Sequence, residues 1–208
     1  YGMSESVIIT SNPLEGERRG GTVGFPLPGT EVRVVGDEDR PVGTGKIGHI
    51  QVRGDNVFSG YWQMPEKTQE EFTPDGFFRT GDMGRFDADG YLAIIGRDKD
   101  LIISGGLNVY PKEIEEAIDA LPGVAESAVI GLPHPDFGEA VTAVVVRGKD
   151  ASGLTAEGII AVLKGQIAGF KVPKVVHFVD DLPRNAMGKV QKNRLRERFG
   201  DAGKSQPP

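Results

Sequence analysis

Short apolar runs separated by glycine and proline dominate the first hundred residues and limit what this chain can fold into. Glu31–Val35 and His49–Arg53 alternate apolar and polar residues, and Tyr91–Ile95 follows a turn-forming segment at Asp87–Gly90. Period-two alternation places the apolar side chains on one face of a half-buried strand. The 30 glycines and 14 prolines cut the chain into many such segments. We therefore predict a β-rich first region with one short helix at 65–72.

The pattern changes after Gly96. Apolar residues recur at helical spacing from Pro111, again after a capping Thr155, and again over 191–199. Strand-like apolar runs lie between them at 125–130, 140–146 and 175–179. The chain is therefore predicted to be α+β, with a domain boundary near 97–100.

Composition excludes several classes of function. The net charge is −6 without a long basic run, which argues against nucleic acid or an anionic membrane as the partner. The absence of cysteine excludes disulfides, Cys-ligated zinc and thiol nucleophiles. No apolar stretch reaches the roughly 18 residues of a membrane span. We expect a soluble, cytoplasmic protein. The sequence at Tyr1 is typical of a segment inside a fold, so any targeting segment would precede it.

Two segments of the first region carry groups suited to a nucleotide. Tyr1–Glu5 places an aromatic ring, a hydroxyl and a carboxylate together, which suits a purine, a phosphate and Mg²⁺; the alternative is a frayed terminus. Phe78–Asp82 is interpreted as a glycine-tight turn that presents Asp82. One carboxylate can accept hydrogen bonds from both ribose hydroxyls, although an ordinary Asx turn explains the same residues.

Two further segments lie at and beyond the boundary. Charges at Gly96–Asp100 followed by the small-residue segment Ile102–Asn108 are typical of a hinge and a surface that a ligand can approach, or of a solvated linker and loop. Pro183–Lys192 displays Lys189 on a glycine-containing loop, where a mobile point charge can meet a phosphate. A surface lysine is also common, so this segment alone decides nothing.

Taken in order, the four segments resemble the motif series of the adenylate-forming superfamily, especially the acyl-CoA synthetases. The resemblance runs from Tyr1 to about Phe199. The connecting segments match as well: Gly54–Tyr61, Met64–Thr68, Asn108–Glu115 and Val129–Glu139. The resemblance implies that residues 1–97 are the β-rich, barrel-like end of a large N-terminal domain. It implies that 98–200 are a small mobile lid domain, and we expect a disordered tail at 201–208.

The resemblance also implies roles for the first region. Glu5 would help to hold Mg²⁺, and Gly2 and Ser4 would lie at the nucleotide, with Ser4 replacing the usual threonine but keeping its hydroxyl. The ring of Tyr1 would lie against adenine. Two further residues complete the nucleotide site: Asp82 would bind the ribose hydroxyls, assisted by Arg97.

For the second region the resemblance implies a division of labour between two reaction steps. Lys189 would stabilise the charge that develops when a carboxylate attacks the α-phosphate of ATP. Rotation about a hinge at Lys99 would then withdraw Lys189 and present Gly105, Gly106 and Leu107 to coenzyme A. Glycine at position 106 would let the pantetheine thiol pass close to the backbone.

The implied activity is an ATP-dependent ligation of a small carboxylic acid to CoA. The superfamily's phosphate-binding loop and most of its acyl pocket have no counterpart in 1–208, so the chain alone is expected to be inactive without that N-terminal part. Tyr1–Pro13, Gly20–Pro28 and Pro183–Lys192 look most like malonyl-CoA synthetases, which implies malonate or methylmalonate; Arg18 and Arg19 are candidates by charge for the second carboxylate.

Several alternatives remain beside the malonate interpretation. Fatty acids and aryl acids such as coumarate are alternative substrates. An adenylation domain that feeds a carrier protein is a rival within the superfamily. A non-catalytic module is the rival from another class, and a protein lysine acetyltransferase acting on Lys189 is a further expected partner.

Overall fold

The computed structural model describes residues 1–200, and these form two compact units. The first unit ends at Lys99 and the second begins at Asp100, inside the range 97–100 in which the sequence pattern changes. The predicted tail at 201–208 lies outside the described residues. Strands fill most of the first unit and the second mixes strands with helices, so the α+β prediction is confirmed.

The first unit is built from small antiparallel pairs and one larger sheet. Two short pairs come first, β1 (Gly2–Met3) with β2 (Val7–Ile8) and β3 (Thr10–Ser11) with β4 (Phe25–Pro26). The sheet follows in chain order as β5 (Thr30–Val35), β6 (Gly48–Gly54), β7 (Phe78–Phe86) and β8 (Leu92–Arg97). Its pairings within 1–99 form an open path rather than a ring. The predicted helix is α1 (Pro65–Glu71), with proline in its first turn.

Strand β7 corrects the interpretation of Phe78–Asp82 as a turn. The segment is extended and pairs with both β6 and β8, but the register slips between Gln51↔Arg79 and His49↔Met83. The extra residues form a bulge in which Gly81 adopts a left-handed φ of 69°. A bulge re-aims the side chains that follow it and is common beside functional sites. Asp82 therefore lies within a bulged strand and not on a loop.

The second unit is a five-stranded sheet with helices. Its elements in order are β9 (Ile102–Ser104), β10 (Leu107–Val109), α2 (Pro111–Asp119), β11 (Val124–His134), β12 (Gly138–Arg147), α3 (Ala156–Lys164), β13 (Val175–Val179) and α4 (Lys192–Gly200). The order is β10-β9-β12-β11, and β13 pairs in parallel with β12. The strand β11 lies at the edge of this sheet.

Sequence signals explain most element ends in this unit. Pro111 occupies the first turn of α2, and the Thr155 hydroxyl accepts a hydrogen bond from the Gly158 amide at 3.1 Å to cap α3. Ile114 and Leu163 are fully buried against the sheet. No helix within residues 1–200 is both long and apolar enough to cross a bilayer.

Candidate active site

The β1–β2 hairpin presents Ser4 and Glu5 at its tip. Gly2 is required for the close pairing of its strands, because a β-carbon there would stand 2.0 Å from the carbonyl oxygen of Val7. Val7 itself has a left-handed φ of 57°, a strained conformation for a β-branched residue. The hairpin thus holds Ser4, which is exposed, and Glu5, which is half-buried, in a fixed short turn.

Two residues outside the hairpin fix Glu5. The Tyr61 hydroxyl donates to Glu5 Oε1 at 3.2 Å, and the Phe58 amide donates to the Glu5 carbonyl at 2.7 Å. Burial, together with the charge and hydrogen bond of Glu5, raises the pKa of Tyr61, so the phenol stays a donor. Sequence reasoning missed Tyr61 as a site residue; its presence in the matching segment Gly54–Tyr61 was the available signal.

Asp82 is the centre of a second cluster. Its Oδ1 accepts from Arg97 Nε at 2.8 Å, and its Oδ2 accepts a short hydrogen bond from the Tyr1 hydroxyl. The Asp82 backbone amide donates to the Thr80 hydroxyl at 3.1 Å, which braces the backbone of the bulge. Asp82 is buried, whereas Arg97 is exposed. Both carboxylate oxygens are oriented before any ligand arrives, and each retains a lone pair that can accept a hydroxyl proton.

The Tyr1 phenol is held as a donor. Burial raises its pKa above the ordinary value, and the Asp82 hydrogen bond raises it further. The charge of Arg97 offsets only a small part of the rise in the pKa of Tyr1 and of Tyr61. The structure therefore brings Tyr1, Asp82 and Arg97 into direct contact, whereas Glu5 and Tyr61 form a separate pair.

The residues around Glu5 fit a magnesium ion only if substrate phosphates and water supply most of its ligands. Within residues 1–200 no group of three or more histidine, cysteine or acidic side chains could enclose a metal. Magnesium in phosphate-transfer sites is commonly held by one or two carboxylates plus substrate phosphates and water. A single carboxylate at a hairpin tip, with Oε1 bound by Tyr61, leaves Oε2 for such a contact.

Lys189 lies on a hairpin of the second unit. The residues Arg184 and Val190 form a β-bridge, and the side-chain oxygen of Asn185 accepts from the amides of Met187 and Lys189 at 3.0 and 2.9 Å. Gly188 adopts a left-handed φ of 78°, which the turn requires. The backbone of the loop is thus braced, while the Lys189 side chain is exposed. The bracing role of Asn185 was not predicted, because the motif drew attention to the lysine alone.

The segment 104–107 is a hairpin turn rather than an irregular loop. Ser104 ends β9, Leu107 begins β10, and the two glycines between them have φ of 58° and 77°. A β-carbon on Gly106 would meet nothing within 4 Å in its own unit. Backbone conformation alone therefore requires glycine here. Leu107, the first residue of β10, is exposed.

The remaining candidate residues are Lys99, Arg18 and Arg19. Lys99 is exposed in a 3₁₀ turn and is the last residue of the first unit. Arg19 is engaged with three carboxylates, of Glu17, Asp87 and Asp89, so the structure removes it as a partner for a substrate carboxylate. Arg18 remains exposed.

Two family profiles match this chain. The profile described as "AMP-binding enzyme" matches residues 1–62, and that described as "AMP-binding enzyme C-terminal domain" matches residues 113–189. One match falls on each unit. The chain belongs to the AMP-binding, adenylate-forming enzymes, and the resemblance stated from its motifs is confirmed.

One solved structure and two curated relatives show which enzymes this chain resembles. The ATP-bound MatB from Rhodopseudomonas palustris is 59% identical with a TM-score of 0.92, over 97% of this chain and 40% of that one. A malonate–CoA ligase from Arabidopsis thaliana is 44% identical over 95% of this chain and 34% of its own length. A long-chain-fatty-acid–CoA ligase from Escherichia coli O157:H7 is 41% identical over 95% of this chain and 35% of its own length. The chain thus spans about a third of the curated relatives it matches.

Proposed function

We propose that this chain is the C-terminal part of an ATP-dependent acid–CoA ligase whose acid is malonate or methylmalonate. The observation that carries the proposal is the 59% identity to MatB over 97% of the chain, joined to the preorganised Asp82 carboxylate. An upstream part would supply the remaining ATP contacts and the acid pocket. We call a polypeptide in which this chain follows such an upstream part the complete enzyme.

Asp82 and its partners would hold the nucleoside. Arg97 and Tyr1 fix both carboxylate oxygens, so Asp82 can accept from the two ribose hydroxyls without reorganising. Holding the ribose orients the triphosphate relative to Glu5 and Ser4. Glu5 would hold Mg²⁺, which, when bound, supplies charge neutralisation at the phosphates. Tyr61 would keep the Glu5 carboxylate oriented.

Lys189 would act in the first step. When the acid carboxylate attacks the α-phosphate, negative charge collects on the phosphate oxygens and pyrophosphate departs with the P–O bond electrons. An ammonium at the end of a flexible stem, presented from a braced hairpin, can reach that charge. The product is an acyl-adenylate, which the thiolate of CoA then attacks with release of AMP.

The second step would use a different surface of the second unit. Lys99 ends the first unit, so rotation of the backbone there would exchange the Lys189 hairpin for the Gly105–Gly106 turn. The turn projects little beyond its backbone, which would let the pantetheine arm approach.

Malonate is proposed from the motif resemblance, the similarity to MatB and two relatives whose acids carry a second anionic group. The malonate–CoA ligase of Arabidopsis is 44% identical, and a sulfoacetate–CoA ligase from Cupriavidus necator is 43% identical. Fatty-acid ligases and a feruloyl-CoA synthase from Amycolatopsis lie equally near, at 41–43%. The acid is therefore decided by experiment.

The test is a substrate panel on the complete enzyme with its own upstream part. AMP release with ATP, Mg²⁺ and CoA is measured for malonate, methylmalonate, sulfoacetate, dodecanoate and ferulate. We expect the highest kcat/KM for malonate or methylmalonate, and a preference for dodecanoate or ferulate would overturn the substrate assignment. ATP–pyrophosphate exchange by the 208-residue chain alone would overturn the division of labour, since it lacks the phosphate loop.

Two other proposals remain, one about Lys189 and one about the chain as a whole. An exposed Lys189 suits modification by a protein lysine acetyltransferase, which would remove the charge needed for adenylation. Mass spectrometry of the protein from cells would show acetyl-Lys189, and its absence under all growth conditions would dispose of this proposal. A non-catalytic nucleotide-binding module would instead bind ATP without AMP release for any acid.

A further inference from the structure

Charged side chains tie the Lys189 hairpin to the sheet of its own unit. At the start of the hairpin, Arg184 Nη1 donates to the carbonyl oxygen of Gly188 at 2.7 Å. Its Nη2 donates to the carboxylate of Glu126 on strand β11. One guanidinium therefore joins the peptide just before Lys189 to the edge of the sheet. Because its planar fork carries several donors, arginine can make both contacts at once.

The other end of the hairpin has a second anchor. Lys192 Nζ lies 2.6 Å from Glu115 Oε1, and both side chains are largely buried, with 16% and 18% exposed. The same Glu115 oxygen accepts a hydrogen bond from the Val129 amide at 2.8 Å. Val129, like Glu126, belongs to β11. The two anchors therefore fix the hairpin to one strand at points three residues apart.

The side chain of Lys189 differs from those of Arg184 and Lys192 in its contacts. Its backbone amide is bound by Asn185, but its side chain is exposed, and no ion pair of its ammonium is found within residues 1–200. A cation that stabilises transient charge needs a fixed point of attachment, because a displacement of about 1 Å can cost about a hundredfold in rate. The anchors supply that fixed point and leave the ammonium free.

We propose that Arg184 and Glu126 are positioning residues for the adenylation step, acting through Lys189, with the Glu115–Lys192 pair anchoring the far end of the hairpin. The inference rests on the proposed function. It adds residues that would contact neither the nucleotide nor the acid but would set the position of the Lys189 ammonium.

The test uses Glu126→Gln and Arg184→Gln in the complete enzyme. Glu116→Gln is the matched control, because Glu116 makes an exposed helix pair with Lys112 at 3.7 Å in the same unit. We expect kcat for ATP–pyrophosphate exchange to fall roughly ten- to a hundredfold in both hairpin variants. KM for ATP, the melting temperature and the rate of thioester formation from supplied acyl-adenylate should stay at the control's values.

A double-mutant cycle separates positioning from a general structural role. In a Lys189→Ala background, Glu126→Gln should cause no further loss of exchange, because the group through which it acts is gone. Additive losses, or equal losses in both half-reactions, would overturn the positioning role. If Arg184→Gln lowers the melting temperature, the positioning role is judged from Glu126→Gln alone. Failure of the proposed function looks different: Lys189→Ala itself would then leave the exchange rate unchanged.

Discussion

Asp82 and Arg97 face each other across the β7–β8 ladder, and Arg97 Nε lies 2.8 Å from Asp82 Oδ1. The pairing depends on the bulge at Gly81, which shifts the register of β7 just before Asp82. The carboxylate is buried while its arginine partner is exposed. This arrangement, with the Tyr1 hydroxyl on the other oxygen, orients both oxygens of Asp82, as the proposed recognition of a ribose diol would require.

Asp82→Asn should weaken ATP binding more than it slows chemistry. The amide retains one acceptor but cannot accept from both ribose hydroxyls while also serving Tyr1 and Arg97. A hydrogen bond to a charged group contributes about 1.5–3 kcal/mol, so KM for ATP should rise roughly ten- to a hundredfold. Steady-state kinetics of the complete enzyme measures this, with Asp55→Asn, an exposed residue of the same unit, as the control. An unchanged KM would remove Asp82 from the nucleotide site.

Tyr1 should make the protein sensitive to alkaline pH. Burial and Asp82 raise its folded-state pKa, so the folded state keeps the phenolic proton when the unfolded state has lost it. The stabilising contribution is fully present below pH ~10 and is lost as the pH rises through the folded-state pKa. Denaturant unfolding between pH 8 and 11 should therefore show a steeper loss for the unsubstituted chain than for Tyr1→Phe. Parallel curves would contradict the assignment.

Gly106→Ala should impair thioester formation selectively. Gly106 and Gly153 both have left-handed φ, 77° and 92°, and a β-carbon on either meets nothing within 4 Å. The two alanine substitutions should therefore cost similar stability, about 1 kcal/mol. Only Gly106→Ala is expected to slow CoA attack on supplied acyl-adenylate, since only that turn is proposed to receive pantetheine. Equal rates in both variants would remove the turn from the second step.

Local signals predicted the regular elements well. Period-two alternation located β5 and β6, Pro111 located the start of α2, and Thr155 located the cap of α3. Strand β7 was missed because glycine within Phe78–Asp82 is typical of a turn, whereas in the fold pairing on both sides imposes extended backbone around a bulge. Tertiary pairing outweighed local preference.

The site was predicted as separate residues rather than as contacts. Tyr1 and Asp82 are 81 positions apart, and no local pattern indicates that the phenol donates to that carboxylate. The same holds for Tyr61 with Glu5, 56 positions apart, and for Arg184 with Glu126, 58 positions apart. The motifs indicated the candidate reacting groups, whereas the contacts that orient these candidates depend on strand order and register.

One exposed ammonium, that of Lys189 on its braced hairpin, is proposed to serve the first half-reaction and not the second. The direct measurement compares Lys189→Ala with Lys164→Ala, an exposed lysine in the last turn of α3, in both half-reactions of the complete enzyme. We predict that Lys189→Ala lowers ATP–pyrophosphate exchange about a hundredfold or more, while thioester formation from supplied acyl-adenylate matches Lys164→Ala. Unchanged exchange, or an equal loss in both half-reactions, would contradict this role of Lys189.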